Sequence, residues 1–373
     1  MITVLATLVA LAELPAGIVA GPREDTPPQV EVVTFGAGDL LFERWGHAAL
    51  CLDYEDEAIA DVCFNYGNTD FERIGALAWN FVRGDQPFWV DVMTRDTMVE
   101  WYAENDRDIW SQIVPLSPSQ ARQVERRVWR DLEPLHATYV YDHLADNCST
   151  RVRDIIDEAL GGFLRASASL TYPLTFRDIG VRGLASNPVL TAASEFLVGR
   201  TFDRQPTVWQ AMFHPDVFRE HLALVLDAPP LKVHARTGPP LPTETMTGRF
   251  GMLAIAVGLA LLLLVTRGGR GPLWFASLYL GIWGVVVYAL VLVSPVEALR
   301  MNEVAFVLVP LDLVLPILTP ERRRMYARVR VFGLVVVSLL SAVAVLQQPL
   351  WVPILSAFLP LVAIASSRSS SLD

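Results

Sequence analysis

Cys148 sits in the run Tyr141-Asp142-His143-Leu144-Ala145-Asp146-Asn147-Cys148-Ser149-Thr150-Arg151-Val152-Arg153-Asp154, where a loop turns into a helix. Asp146 or Asn147 can cap that helix. Val152, Ile155, Ile156 and Ala159 recur at helical spacing, and Gly161 and Gly162 end it. A thiol in a first helical turn faces unpaired backbone N–H groups and the positive end of the dipole. Both favour thiolate, the form that attacks an electrophilic carbon. The bland alternative is a small buried hydrophobe, the commoner fate of a lone cysteine. A lone histidine in a strand, such as His47, is likewise more often structural than catalytic. His136, His143, His214, His221 and His234 show no metal-ligand spacing, and no paired C-x-x-C or H-x-x-x-H motif supports zinc. Neither a metal nor another cofactor is expected.

The elements that must position these residues follow from periodicity. Residues 29–35 alternate Val, Val and Phe with smaller or polar residues and read as a strand. Residues 44–52 read as a second strand and 58–66 as a third, with the acidic stretch 53–57 as a hairpin loop. Residues 79–83 and 87–93 look like further short strands, and 117–131 has helical spacing with a Ser-Pro start. The class is α+β, an antiparallel sheet with a helix carrying the thiol. If the second and third strands form a simple hairpin centred near Glu57, Cys51 falls opposite Cys63. His47, Ala49 and Cys51 then share a face, and Asn65 lies opposite Ala49, diagonal to His47. A Cys51–Cys63 disulfide is allowed outside the cytoplasm and would leave Cys148 as the free thiol.

Of the 373 residues, 52% are hydrophobic, and the excess lies in the C-terminal third. Residues 250–266, 272–294, 302–319, 331–346 and 350–366 are apolar runs near the length of about 20 that spans a bilayer. They are expected to form five transmembrane helices, the third interrupted by Pro310, Asp312 and Pro316. Arg267 and Arg270 lie between the first two, Arg322, Arg323, Arg324, Arg328 and Arg330 between the third and fourth, and Arg368 after the last. The positive-inside rule makes those loops and the tail at 367–373 cytoplasmic. Residues 1–20 read as a secretory signal or a retained anchor. An exported domain at 29–233, a linker at 234–248 and a membrane domain at 249–366 follow. The net charge of −10 argues against nucleic acid or an anionic lipid surface as an electrostatic partner.

Two motifs then converge. Trp45-Gly46-His47-Ala48-Ala49-Leu50 on a strand, followed by Asp146-Asn147-Cys148-Ser149-Thr150 at a helix start, resembles the circularly permuted papain-like thiol enzymes. That group includes the lecithin:retinol acyltransferase-like proteins. The chain is more closely similar to Lnb-type bacterial lipoprotein N-acyltransferases. Phe64-Asn65-Tyr66-Gly67, Phe81-Val82-Arg83-Gly84 and Arg107…Trp110…Leu116-Ser117 carry that likeness, with Asn147-Cys148-Ser149-Thr150-Arg151…Arg153-Asp154. It covers residues 30–225, and the apolar tail is similar in layout to the family's membrane domain.

The resemblance implies a permuted papain-like exported domain with Cys148 as nucleophile and His47 as its base. Asn65 is the geometric candidate for orienting the imidazole, with Tyr66 its nearest rival. Tyr66, Asn147 and Arg151 are candidate substrate contacts, and Glu297 and Asn302 candidates for guiding a head group or amine. The implied reaction passes a fatty acyl chain from a membrane phospholipid, through a Cys148 thioester, to the α-amino group of a lipoprotein. The implied location is the bacterial inner membrane, with the catalytic domain in the periplasm. The alternatives are a thiol hydrolase on the same fold, either a phospholipase or a peptidoglycan cysteine peptidase, and a non-catalytic exported sensor or scaffold.

Overall fold

The computed structural model describes residues 18, 21–23, 26–56 and 59–367. Nearly all of the expected leader or anchor (1–20) and the tail beyond residue 367, including Arg368, lie outside the described residues. The chain divides into two compact units, Met1–Pro173 with Pro206–Leu241, and Leu174–Gln205 with Pro242–Asp373.

The first unit is mixed helix and strand, built on a seven-stranded antiparallel sheet. In chain order its strands are β1 (Gln29–Phe35), β2 (His47–Asp53), β3 (Val62–Asn68), β4 (Pro87–Thr94), β5 (Ile109–Ile113), β6 (Thr138–Val140) and β7 (Leu231–His234). They lie side by side as β6-β4-β3-β2-β1-β5-β7. Four helices matter for the site: α1 (Ile74–Arg83), α2 (Arg95–Glu104), α3 (Pro118–Asp131) and α4 (Cys148–Ala159). The central strands are buried on both faces, so their runs of Val, Phe, Leu and Cys are almost continuously apolar. On one face Val33, Phe35, Ala49, Cys51, Cys63 and Ile109 pack against Met98 and Tyr102 of α2. On the other, Phe64 meets Trp129 of α3 edge to face, and Tyr66 donates to Asp131 of α3 at 2.9 Å.

Cys51 pairs directly with Cys63 across β2 and β3, and the two form a disulfide. That is the register of a hairpin centred near Glu57. Residues 79–83 are not a strand but the second half of α1. Ala76, Leu77 and Ala78 favour helix, and Gly84, left-handed at φ 66°, ends it. The other helix starts are legible. Ser117 caps α3 with Pro118 at its first position, and Asn147, not Asp146, caps α4.

The second unit departs further from expectation. Leu174–Gln205 belongs here, although it falls within the segment 29–233 read as one exported domain. Its helix α5 (Pro188–Leu197) is held to the apolar part by a 2.8 Å ion pair between Glu195 and Arg249. Asn302 donates to Phe196 O at 2.7 Å, Gln348 to Val198 O at 3.0 Å, and the Arg200 N–H to Met301 O at 2.9 Å. Among the described residues three helices, not five, are both long and apolar enough to cross a membrane. They are α6 (Met246–Val265), α7 (Arg270–Val293) and α8 (Pro320–Ala342). A shorter apolar helix follows, α9 (Trp351–Ser366).

The third expected span is two 3-10 stretches, Glu303–Phe306 and Pro310–Ile317. Pro310 and Pro316 cannot donate to an α-helical ladder, and the Asp312 carboxylate is turned inward. It takes a forked pair from Arg330, both contacts 3.0 Å, and a hydrogen bond from Tyr326 at 2.7 Å. Glu303 accepts the N–H groups of Gln347 and Gln348 beyond the end of α8, whereas Leu315 O and Leu318 O accept from Arg323 near its start. The broken segment therefore runs antiparallel to α8 along its length. The fourth helix begins at Pro320 rather than 331, so Arg322–Arg330 form its first turns. Arg324 reaches Ser367 O at 3.4 Å, so these arginines and the last described residue share one end of the unit.

Two measurements test these supports. Replacing Cys51 and Cys63 together by Ala is expected to lower stability by about 2–4 kcal/mol, read from the unfolding midpoint of the full chain; an unchanged midpoint would mean packing alone holds the register. Asp312→Ala leaves the Arg330 charge uncompensated and is expected to cost about 3–5 kcal/mol. Adding Arg330→Met should recover part of that loss in the same thermal melt.

Candidate active site

The start of α4 is fastened from several directions. Asn147 Oδ1 accepts the Thr150 N–H at 2.9 Å and Thr150 Oγ1 accepts the Asn147 N–H at 2.7 Å, a reciprocal cap. Asn147 Nδ2 donates to His143 O and Phe213 O, and Ser149 Oγ to Met212 O at 2.7 Å. Cys148 thus occupies the first helical position on a fixed frame, partly exposed, with the chain's other two cysteines joined to each other.

His47 opens β2. Gly46 before it has φ 77°, and a Cβ there would lie 2.7 Å from Phe35 O, so the turn into the strand requires glycine. The ring stacks with Phe35 and Tyr102, centroids 5.8 and 5.9 Å away. Its Nε2 lies 3.2 Å from Asn65 Oδ1 on β3. With that oxygen as acceptor, Nε2 carries the proton and Nδ1 is left to act as base. Gly67, two residues beyond Asn65, keeps the space clear. A Cβ built there would sit 3.5 Å from Cys148 Cβ and 3.9 Å from His47 Cε1. Thiol and imidazole therefore flank one small volume at the end of the sheet.

The electrostatics differ from the dipole expectation. Burial pushes the Cys148 thiol above its ordinary value, against the backbone N–H groups of Ala48 and Ser149 and the Arg107 charge, which favour thiolate. Burial, reinforced by Arg107, pushes His47 down to about 4, against the Asn65 hydrogen bond. Desolvation outweighs the helix terminus, so at neutral pH the pair rests as thiol and neutral imidazole. A neutral ring is the form that can accept a proton.

The other expected contacts are placed elsewhere. Tyr66 follows Asn65 and so faces the opposite side of the sheet from His47, fully buried, with its hydroxyl donating to Asp131. Asn147 has its amide groups engaged as cap and clamp. Arg151 forks onto Asp146 at 2.6 and 2.9 Å and lies 3.5 Å over the Tyr139 ring. Asn302 is buried in the second unit, its amide taken by Phe196 O and the Val304 N–H, while Glu297 is exposed at the start of a short helix there. With Cys51 and Cys63 cross-linked, neither can serve as a thiolate ligand for zinc.

Two further features lie outside the expected site residues. Arg107 acts on both reacting groups from the turn after α2. An aromatic chain also runs from the Cys148 loop outward: Tyr141 stacks on Phe88 at 4.2 Å, His143 on Phe81 at 4.9 Å, and Phe42 meets Phe71 at 5.3 Å. It ends in solvent, where Phe42 and Phe71 are exposed, as are Ile74 and Trp79 of α1, whose one buried residue is Leu77. Such a surface suits apolar chains.

A resting thiol makes a checkable statement. Alkylation of Cys148 by iodoacetamide should rise with pH through a midpoint above 9.0, the ordinary thiol value. A preformed thiolate–imidazolium pair would instead label rapidly down to acid pH.

Residues 23–180 match the family model described as the Lnb N-terminal periplasmic domain. No curated protein and no solved structure matches the chain. The match takes in β1 through α4 and with them His47, Asn65 and Cys148. This stretch is thus similar to an Lnb-type N-terminal periplasmic domain.

Proposed function

We propose that this protein is a membrane-bound N-acyltransferase that moves a fatty acyl chain from a phospholipid to the α-amino group of a bacterial lipoprotein, through a thioester on Cys148. The observation that carries the reading is the free thiol at the capped start of α4, facing the same volume as an imidazole hydrogen-bonded to Asn65, inside a stretch similar to the Lnb periplasmic domain. The arrangement of helix thiol, strand imidazole and amide is the one a permuted papain-like enzyme uses. Three long apolar helices and an exposed aromatic surface beside the thiol support a substrate taken from a bilayer.

In the first half-reaction His47 Nδ1 takes the thiol proton as Sγ adds to an ester carbonyl carbon of the donor. The tetrahedral intermediate collapses with loss of the glycerol oxygen, which receives that proton from His47 and leaves as lysophospholipid. In the second, the lipoprotein amine adds to the thioester carbonyl while His47 accepts its proton. Collapse releases the amide and returns the proton to the thiol. By the positive-inside rule the arginine end of the second unit is cytoplasmic, which puts its opposite end, with Glu303, Gln347 and Gln348, on the periplasmic side of the inner membrane.

Intact mass measurement after incubation with a defined phospholipid tests the intermediate. Wild type should gain one acyl group, and Cys148→Ser and Cys148→Ala none. His47→Gln should slow transfer by about 10²–10⁴-fold, and Asn65→Ala by less. Because His47 stays neutral down to about 4, transfer should retain its base well below pH 6.5, where an ordinary imidazole protonates. Full transfer activity in Cys148→Ala would sink the proposal, and steady release of free fatty acid without an amine would favour the phospholipase.

A further inference from the structure

Arg107 is buried without the partners such a group normally has. It follows α2, is 2% exposed, and makes no ion pair among the described residues. Its Nε donates to Gly36 O at 2.9 Å, and its plane lies 4.7 Å over the Tyr102 ring, the ring on which Phe35 stacks and beside which His47 lies. Its Nη2 is buried and has no hydrogen-bond partner among the described residues. Glu43 and Tyr102 act on it at a distance, but the Glu43 carboxylate accepts the Leu40 N–H. A buried donor left unmade costs about 1–3 kcal/mol, more when charged. A guanidinium is permanently charged, so its natural complement is an anionic oxygen. Its charge is felt at both Cys148 and His47.

We propose that Arg107 is the anion receptor of this site, its free Nη2 donating to a negatively charged oxygen of the acyl donor. That oxygen belongs either to the donor's phosphate or to the oxyanion formed when Cys148 adds to the ester. The proposal rests on the thioester reading for its substrate, but its geometric basis stands apart from it. The turn after α2 would then do more than connect two elements, because it fixes a positive charge over Tyr102 that both His47 and Cys148 feel.

The experiment compares wild type, Arg107→Gln and Arg107→Lys as full-length protein, on a glycerophospholipid and on a diacylglycerol of the same chains. Steady-state transfer gives kcat and KM. Protection of Cys148 from iodoacetamide by a short-chain glycerophospholipid gives a dissociation constant that needs no turnover. A phosphate receptor predicts that Arg107→Gln weakens protection and raises KM by about tenfold or more for the phospholipid, leaving diacylglycerol unchanged. An oxyanion receptor predicts that kcat falls by about 10²–10³-fold on both donors with protection unchanged. In either case Arg107→Lys, which keeps a charge in the same packing, should fall between the two. Protection, KM and kcat all within twofold of wild type in both variants overturn the proposal. If wild type gains no acyl mass from either donor, the thioester reading has failed, and the protection constants alone decide Arg107: tenfold weakening upholds it, no change overturns it.

Discussion

The pairing of β2 with β3 is the constraint on which the site depends. Side chains along a strand alternate between faces, so a slip of one residue would exchange every one of them. Asn65 would leave the face of His47, and Tyr66 would take its place. The Cys51–Cys63 disulfide sits two pairs inside the Asn65 position and holds that register covalently. Packing of both cysteines against Met98 and Tyr102 then places α2, and α2 in turn leads the chain to Arg107. One cross-link thereby sets the partner of the imidazole and, through the helix behind it, the charge that acts on it.

The parts of this arrangement that were legible in the sequence are those governed by local rules. The alternation in residues 29–35, the Ser117 and Asn147 caps, and the hairpin symmetry about Glu57 each follow from a spacing that survives folding unchanged. Asn65 and Cys148 could be picked out for the same reason, whereas His47 was named only through the family resemblance. Helix α1 was not legible because Trp79, Phe81 and Val82 are strand formers. Leu77 is its one buried residue, so its other apolar side chains face away from the core that would mark them as one helix face. The edge strands β6 and β7, three and four residues long, are too short to show a period. The direction of the thiol's shift was misread because it depends on burial by residues remote in sequence, which no helix-dipole rule contains.

The membrane part teaches a related lesson. Hydropathy marks residues 302–319 as a span, and the segment does run the length of α8, but not as an α-helix. Its prolines prevent that, and Asp312 is tolerated because Arg330, one face of the neighbouring helix, meets it. Arginines counted as loop charges can thus be helix residues with structural partners. The segment Leu174–Gln205 is held by Asn302, Gln348 and Arg249 to a body otherwise made of apolar helices.

A thiol that rests protonated has a consequence for survival. Thiolates attack peroxides and disulfides far more readily than thiols do, and a periplasmic domain lives among oxidants able to close Cys51 onto Cys63. A permanently ionised Cys148 would be exposed to the same chemistry between turnovers, ending as a mixed disulfide or a sulfenic acid. Burial that withholds the charge makes Cys148 slow towards small oxidants and, on the proposed reading, still able to add to an ester. The same desolvation that works against the helix terminus is then a form of chemical shelter.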